Sequence, residues 1–126
     1  MSKYYFKMDT GLEWDDLVAG PEEKIRFKNV KFGSNAVIER GMLLAEDSDS
    51  VVAPATASDT NKPLYIAKSD FEAGSDTGVI DTVFSRGLFN RSKIKVSEGV
   101  DINDFEEPLR KVNILLTDII PLKGEY

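Results

Sequence analysis

The segment that decides the fold is residues 82–120, which read TVFSRGLFNRSKIKVSEGVDINDFEEPLRKVNILLTDII. Apolar residues open this segment, and we predict that their strand ends at Arg86-Gly87. An acidic patch follows at residues 101–107, and an apolar run at residues 113–120 stops before Pro121. Two apolar runs that flank a short polar middle predict strands on either side of a small helix.

The rest of the chain also has short apolar runs separated by glycine-marked turns. Residues 79–85 are apolar on both faces, which predicts a central strand. We predict further strands at residues 36–38, 42–45 and 64–67, and a bulge near Asn29, where the alternation that starts at Ile25 changes phase. The predicted fold is mainly β: a small antiparallel β-barrel or sandwich-like body with one short helix near the C-terminus and an extended N-terminal arm.

Two polar stretches are predicted to be surface loops. Residues 46–60 form the longer one, in which residues 50–53 could make a small strand, and residues 70–77 form the second. Near the C-terminus, Asn103 or Asp104 is predicted to cap a short helix that runs through Lys111. Pro108 is tolerated only in the first turn of that helix, which limits its length to about two turns.

The composition limits the functions open to this chain. It has 126 residues with no cysteine and no histidine, so it forms no disulfide and lacks the commonest general base and transition-metal ligand. The net charge is −6, and the excess of acids lies in residues 41–110, with thirteen acids against seven bases. Because an acidic body repels phosphate, we expect no nucleic-acid partner. The longest uncharged run has nine residues, so we expect no membrane partner and an origin in the cytoplasm.

Motifs that would carry chemistry are weak. The stretch Asp47-Ser48-Asp49-Ser50 begins like a calcium loop but continues with valines where a ligand and a glycine are needed, so we expect no metal and no cofactor. The acid pairs Asp15-Asp16 and Glu106-Glu107 leave a carboxylate-based hydrolase open as an alternative. Glu106 and Glu107, however, stand where the start of a helix favours acids in any case. We therefore expect that the chain is not an enzyme.

The start of the chain is unusually aromatic, with Tyr4, Tyr5, Phe6 and Trp14 before the break at Gly20-Pro21. Such side chains are typical anchors of protein interfaces, but they would equally suit a first strand packed into the core, and the sequence leaves both interpretations open. We divide the chain into an N-terminal arm, residues 1–20, and a β-rich domain, residues 21–126. Deletion of residues 1–17 is expected to leave the domain folded.

The order of these weak elements resembles a known family. Arg40-Gly41-Met42-Leu43-Leu44, then Leu64-Tyr65-Ile66-Ala67, then the segment 82–120 are similar to the head decoration proteins of tailed bacteriophages, the family of the lambda capsid-stabilising protein. The likeness covers roughly residues 37–121. The chain departs from the simplest members by its longer, more aromatic leader and its acidic loop at 46–60.

The resemblance implies a viral structural protein. It would be made in the host cytoplasm and located on the exterior of the virion, as a homotrimer that binds the major capsid protein of the expanded head and stabilises it against the pressure of packaged DNA. Members of the family dock through an N-terminal arm, which would assign capsid binding to Tyr4, Tyr5, Phe6 and Trp14. The alternative is a small β-barrel module that binds glycan or peptide in a phage fibre or bacterial surface assembly. Its candidate aromatic patch is Tyr65, Phe71, Phe84 and Phe89.

Overall fold

A computed structural model describes residues 17–20, 24–75 and 78–118 of the chain. The strands in this part are β1 (Val18–Gly20), β2 (Arg26–Phe32), β3 (Val37–Ile38), β4 (Leu43–Glu46), β5 (Val51–Pro54), β6 (Leu64–Ala67), β7 (Phe71–Glu72), β8 (Val79–Asn90) and β9 (Ile114–Thr117). Short 3₁₀ helices lie at Arg91–Lys93 and Ile102–Phe105, and the α-helix α1 spans Glu106–Lys111. The prediction of a mainly β body with one short helix near the C-terminus is confirmed.

Five strands form a ring-like partial barrel. Their order is β8–β2–β5–β4–β6, and β6 pairs again with β8 to complete the ring. Most of these pairs are antiparallel, but β2 and β5 run parallel, with Lys31 opposite Val51. Beyond the ring, the second half of β8 carries β1 on one edge and β9, in parallel, on the other. The strands β3 and β7 form a separate two-stranded sheet.

The inside of the ring is filled by side chains. Because successive strand residues point to opposite faces, each ring strand sends alternate residues inward. These inward residues form one buried cluster, here called the inner core: Val30, Phe32, Leu44, Val52, Tyr65, Ala67 and Val83, with Ile38 from β3. Phe71 of β7 packs against it, with its ring centroid 5.1 Å from that of Phe32.

A second buried cluster, here called the outer cluster, lies on the opposite face of β4, β6 and β8. Leu43, Ile66 and Phe84 belong to it. Later parts of the chain cover this face with Phe105, Leu109 and Ile114, and Leu17 covers it from the other end of the chain. The C-terminal helix therefore serves as a lid over one side of the ring, and this explains why a six-residue helix too short to be stable alone is formed here.

The prediction that a strand ends at Arg86-Gly87 is wrong, because β8 continues through Gly87 to Asn90. Gly87 has φ 153°, and a Cβ atom added there would lie 3.0 Å from Cζ of Phe89. A glycine at this point lets the strand pass from the ring into the smaller sheet with β1 and β9. The glycine thus marks a bend within a long strand, and the turn predicted from it does not form.

Three other local predictions need correction. The register between β2 and β8 shifts between Arg26 and Phe27, so the bulge lies there and not near Asn29. The small strand suggested at residues 50–53 is present as β5 and is a full member of the ring, whereas the predicted loop 70–77 contains the unpredicted strand β7. The side chain that caps the C-terminal helical segment is Asp101, whose carboxylate accepts a hydrogen bond from the backbone N–H of Asn103.

Candidate interaction surface

The residues that sequence analysis assigns to capsid binding, Tyr4, Tyr5, Phe6 and Trp14, lie outside the described residues. The structure does describe how the segment that carries them joins the body. Leu17 is only 1% exposed and belongs to the outer cluster. Its carbonyl accepts a hydrogen bond from the N–H of Asn90 at 2.9 Å, and β1 then pairs with Leu88 and Phe89. Leu17 therefore belongs to the body, so a deletion through residue 17 would remove a core side chain.

This attachment places residues 17–20, which we assign to the arm from sequence, within the sheet. The other residues of the predicted arm, 1–16, lie outside the described residues, and the domain boundary stays a prediction. Gly41 supports the attachment, because a Cβ atom there would lie 2.9 Å from the carbonyl oxygen of Lys93 and 3.5 Å from Cδ1 of Leu17. Leu17 and β1 are therefore held at a fixed position beside β8.

The aromatic patch proposed for a binding module does not form. Phe84 and Phe89 are fully buried in the outer cluster, where their ring centroids lie 5.1 Å apart. Tyr65 is buried in the inner core, on the other side of the sheet, and Phe71 packs against that core. These four aromatic residues contribute to stability, and they are divided between two clusters.

A hydrogen-bonded chain of three side chains ties β2, β6 and β4 together at the ring. Nζ of Lys28 donates to Oη of Tyr65 at 3.0 Å, and Tyr65 donates to Oε1 of Glu46 at 2.8 Å. Burial, together with the bond to Glu46, raises the pKa of the Tyr65 hydroxyl despite the opposing effect of Lys28. The buried hydroxyl is therefore neutral at physiological pH, and it has both a donor and an acceptor partner, as a buried phenol requires.

The acid pair Glu106-Glu107 is held in ion pairs. Nη1 of Arg91 lies 2.8 Å from Oε1 of Glu106, and Arg110 lies within 3.3 Å of Glu106 and 3.0 Å of Glu107. The hydrogen bond from Arg91 lowers the pKa of Glu106. A general acid of a hydrolase needs a shift in the opposite direction. The other pair, Asp15-Asp16, lies outside the described residues.

The stretch that begins like a calcium loop, Asp47 to Ser50, uses its first carboxylate to shape a turn. Oδ1 of Asp47 accepts hydrogen bonds from the N–H groups of Asp49 and Val51, at 2.8 and 3.0 Å. These bonds lower the pKa of Asp47, as expected for a carboxylate that caps backbone donors. Asp101 acts in the same way on Asn103. Within the described ranges, no group of three or more acidic side chains is arranged to hold a metal ion.

One side of the ring is not covered by the rest of the described chain. Phe27, Asn29 and Lys31 of β2 point outward beside Ile80 and Thr82 of β8, and we call this surface the β2–β8 face. Its apolar members are well exposed, Phe27 by 44% and Ile80 by 59%. Asn29 and Thr82 are joined across the strands by a 2.6 Å hydrogen bond. Nζ of Lys68 lies 6.0 Å from the ring centroid of Phe27.

Sequence reasoning missed this face, because the alternation of Ile25 and Phe27 predicts that Phe27 is buried. The signal that could have found it is charge. Residues 24–32 contain four bases and no acid, within a chain whose net charge is −6. A face that combines this basic strand with two large exposed apolar side chains, Phe27 of β2 and Ile80 of β8, is typical of a surface used for recognition.

Comparisons with known proteins do not extend the identification. No protein-family model matches this chain, and no curated protein matches it with significant similarity. Within residues 17–20, 24–75 and 78–118, no helix is long and apolar enough to cross a membrane.

Proposed function

We propose that this chain is a viral structural protein that binds the outside of the expanded capsid of a tailed bacteriophage as a homotrimer and stabilises the shell. Its partners are the major capsid protein and two further copies of itself. It is made in the host cytoplasm and ends on the exterior of the virion. It acts by binding and catalyses no reaction.

The observation that carries this proposal is that side chains of the inner core fill the inside of the ring. Phe32, Leu44, Val52 and Tyr65 occupy the inside of the barrel, so the ring is a rigid packed body. Recognition by such a body takes place on its outer surface and through the segment attached to it. A protein that clamps a shell needs these two features, a stiff body and a tethered contact segment.

The elements that carry the family resemblance support the same interpretation. Residues 40–44 lead into β4, residues 64–67 form β6, and the segment 82–120 supplies β8, α1 and β9. All of these elements belong to one body, in which β4 and β6 pair in the ring and α1 with β9 covers it. The likeness therefore follows a structural unit and is not scattered over unrelated loops.

Stabilisation of the shell follows from differential affinity. A ligand shifts a lattice toward the expanded state only as far as its affinity for that state exceeds its affinity for the unexpanded one. To change the ratio of expanded to unexpanded lattice from 1:99 to 99:1, the affinity must differ by about 10⁴-fold. A trimer reaches such a preference from modest contacts, because the second and third sites bind at high effective concentration. The acidic body keeps the decorated particle soluble.

The proposal is tested by co-sedimentation with expanded empty heads, assembled from a major capsid protein whose gene is first sought beside the gene for this chain. We expect the full-length protein to sediment with expanded heads and not with unexpanded ones. A variant without residues 1–16 is expected to fold, because it keeps Leu17 and β1, and to lose attachment. Circular dichroism and thermal unfolding establish that the truncated protein is folded.

The matched control is Leu17→Ala in the full-length chain. It loses stability by about 2–5 kcal/mol, as a buried leucine does on truncation, but keeps the leader and is expected to attach at temperatures where it is folded. Full-length protein that ignores expanded heads would refute the proposed function. Truncated protein that still decorates heads would refute only the role of the leader, and truncated protein that does not fold would favour a leader that packs into the core.

A further inference from the structure

We propose that the β2–β8 face of one copy is the contact surface for a second copy, and that it packs against the acidic segment formed by residues 97–107. This inference deepens the proposed function, since it names the surfaces that would join the homotrimer, and it rests on that function for the number of copies. The argument depends on the apolar area, on the charge of the two surfaces and on their separation within one copy.

The β2–β8 face combines an apolar centre with positive charge. The described chain exposes three large apolar side chains, Phe27, Val37 and Ile80, and two of them lie on this face. They are about 13 Å apart, since Phe84, the partner of Phe27, lies four positions after Ile80 along β8. Lys31 stands opposite Ile80 at one end, and Lys68 lies over Phe27 at the other. A partner for this strip must therefore be apolar in the middle and acidic at its edges.

The acidic segment meets that requirement. Residues 97–107 contain five acids and no base. Glu106 and Glu107 are engaged by Arg91 and Arg110, whereas Glu98, Asp101 and Asp104 are exposed. Between these acids, Val100 and Ile102 are only partly buried against the outer cluster. The segment thus presents apolar side chains among carboxylates, which complements the β2–β8 face.

Within one described copy, the charges of the two surfaces are not paired with each other. Phe105 anchors the acidic segment on the outer cluster, over β4, β6 and β8. Strand β2 lies on the far edge of β8, between β8 and β5. Among the ion pairs between described residues, none joins a base of β2 or Lys68 to an acid of the segment. Two different complementary surfaces on one chain give a head-to-tail contact, and three such contacts close a trimer.

The test measures self-association of the purified full-length chain by sedimentation velocity, without any capsid. One variant reverses the basic side, Lys31→Glu with Lys68→Glu, and a second reverses the acidic side, Glu98→Lys with Asp104→Lys. A third variant carries all four changes in one chain. Asp101 is left unchanged because it caps the helical segment. Glu72→Lys, an exposed residue of β7, serves as the control for a change of charge elsewhere.

We expect each reversal alone to weaken association by at least about tenfold, because like charges then face each other across the contact. The four-fold variant is expected to regain association, since its surfaces are again complementary with opposite signs. Glu72→Lys is expected to associate as the wild type does. Association of the wild type should weaken as salt rises from about 50 mM to about 500 mM.

Several results would overturn this inference: a monomeric wild type at every concentration, reversals without effect, or no recovery in the four-fold variant. A monomer whose β2–β8 reversal abolishes capsid attachment would assign the face to the shell protein, and it would also overturn the inference. If a reversal variant does not fold, Ile80→Ser replaces it and is expected to weaken association too. Capsid co-sedimentation is scored separately, so failure of shell binding and failure of this contact are distinguishable.

Discussion

The inner core and the outer cluster are built from different parts of the chain. The inner core takes its side chains from strands between residues 26 and 85, each of which contributes by simple alternation. The outer cluster needs Leu17 from one end of the chain and Phe105, Leu109 and Ile114 from the other. The ring is thus completed by its own strands, whereas its outer face is buried only where the two ends of the chain cover it. Within the described part of the chain, the β2–β8 face remains uncovered.

Strand β8 connects the two regions. Val83 points into the inner core, and its neighbour Phe84 points into the outer cluster. After Gly87 the same strand holds β1 and β9, which bring both chain ends to the outer cluster. We therefore expect a single folding unit in which the lid formed by α1 and β9 is the part that opens most readily.

The largest predicted effect on stability comes from removing a buried aromatic ring from either cluster. Phe32→Ala and Phe105→Ala each remove a fully buried ring and are expected to lower the free energy of unfolding by about 3–5 kcal/mol. Urea unfolding measures the loss, and amide hydrogen exchange locates it. Phe105→Ala should speed exchange first in α1 and β9, while Phe32→Ala should speed it throughout the ring. Equal exchange patterns in the two variants would show that the lid does not open separately.

A smaller effect is expected at the bend in β8. Gly87→Ala places a methyl group 3.0 Å from Phe89 at a positive φ, so we expect a loss of about 1–3 kcal/mol. Gly33→Ala is the control, because its new methyl group would make an ordinary contact, 3.6 Å from Val51. Thermal unfolding of both variants compares them. If Gly87→Ala is as stable as Gly33→Ala, the bend does not need glycine and the two sheets are not coupled through it.

The smallest effect concerns the loop that joins β5 and β6. Asp59 accepts hydrogen bonds from the N–H and hydroxyl of Thr56 and lies 2.8 Å from Lys62. Burial acts to raise the pKa of Asp59, but these partners outweigh it and hold the pKa below its ordinary value of 3.8. Because the folded pKa is depressed, the stabilisation is present above pH 3.8 and is lost as pH falls through the folded pKa.

We therefore expect Asp59→Asn to lower stability by about 1 kcal/mol or less at neutral pH, with the difference from the wild type disappearing in strong acid. Urea unfolding at a series of pH values checks this. Lys62→Gln should give a similar but smaller change, since it removes the ion pair and leaves the bonds to Thr56. A difference that persists unchanged into strong acid would mean that the charge of Asp59 does not matter.

The local pattern of apolar residues was sufficient to predict the strands that are buried on both faces. Residues 42–45 and 64–67 were predicted as strands because their apolar runs need no partner to be recognised, and β4 and β6 follow them closely. Strand β5 was assigned mainly to a loop because its surroundings are polar and its place depends on pairing with β2, about twenty residues earlier in the chain. The short strand β7 was missed for the same reason, since it pairs only with β3.

The candidate surface was harder to predict than the fold. The alternation around Phe27 is the same for a buried and an exposed apolar residue. The pattern alone could therefore not show that the described residues leave this part of the face uncovered. The aromatic patch of the alternative function failed for the converse reason. Phe84 and Phe89 are on a strand that is covered on the outside by residues far along the chain.

The sequence by itself determined that this protein is mainly β, that it lacks histidine and cysteine chemistry, and that its charge is acidic with one basic strand, because composition and two-residue periodicity are local properties. The tertiary structure alone decided which apolar residues are core and which face solvent. It also placed Gly87, where a strand end was predicted, within β8 and made Leu17 a core residue. The reason is that burial depends on which distant segments come to lie over a strand, and no pattern within the strand records them.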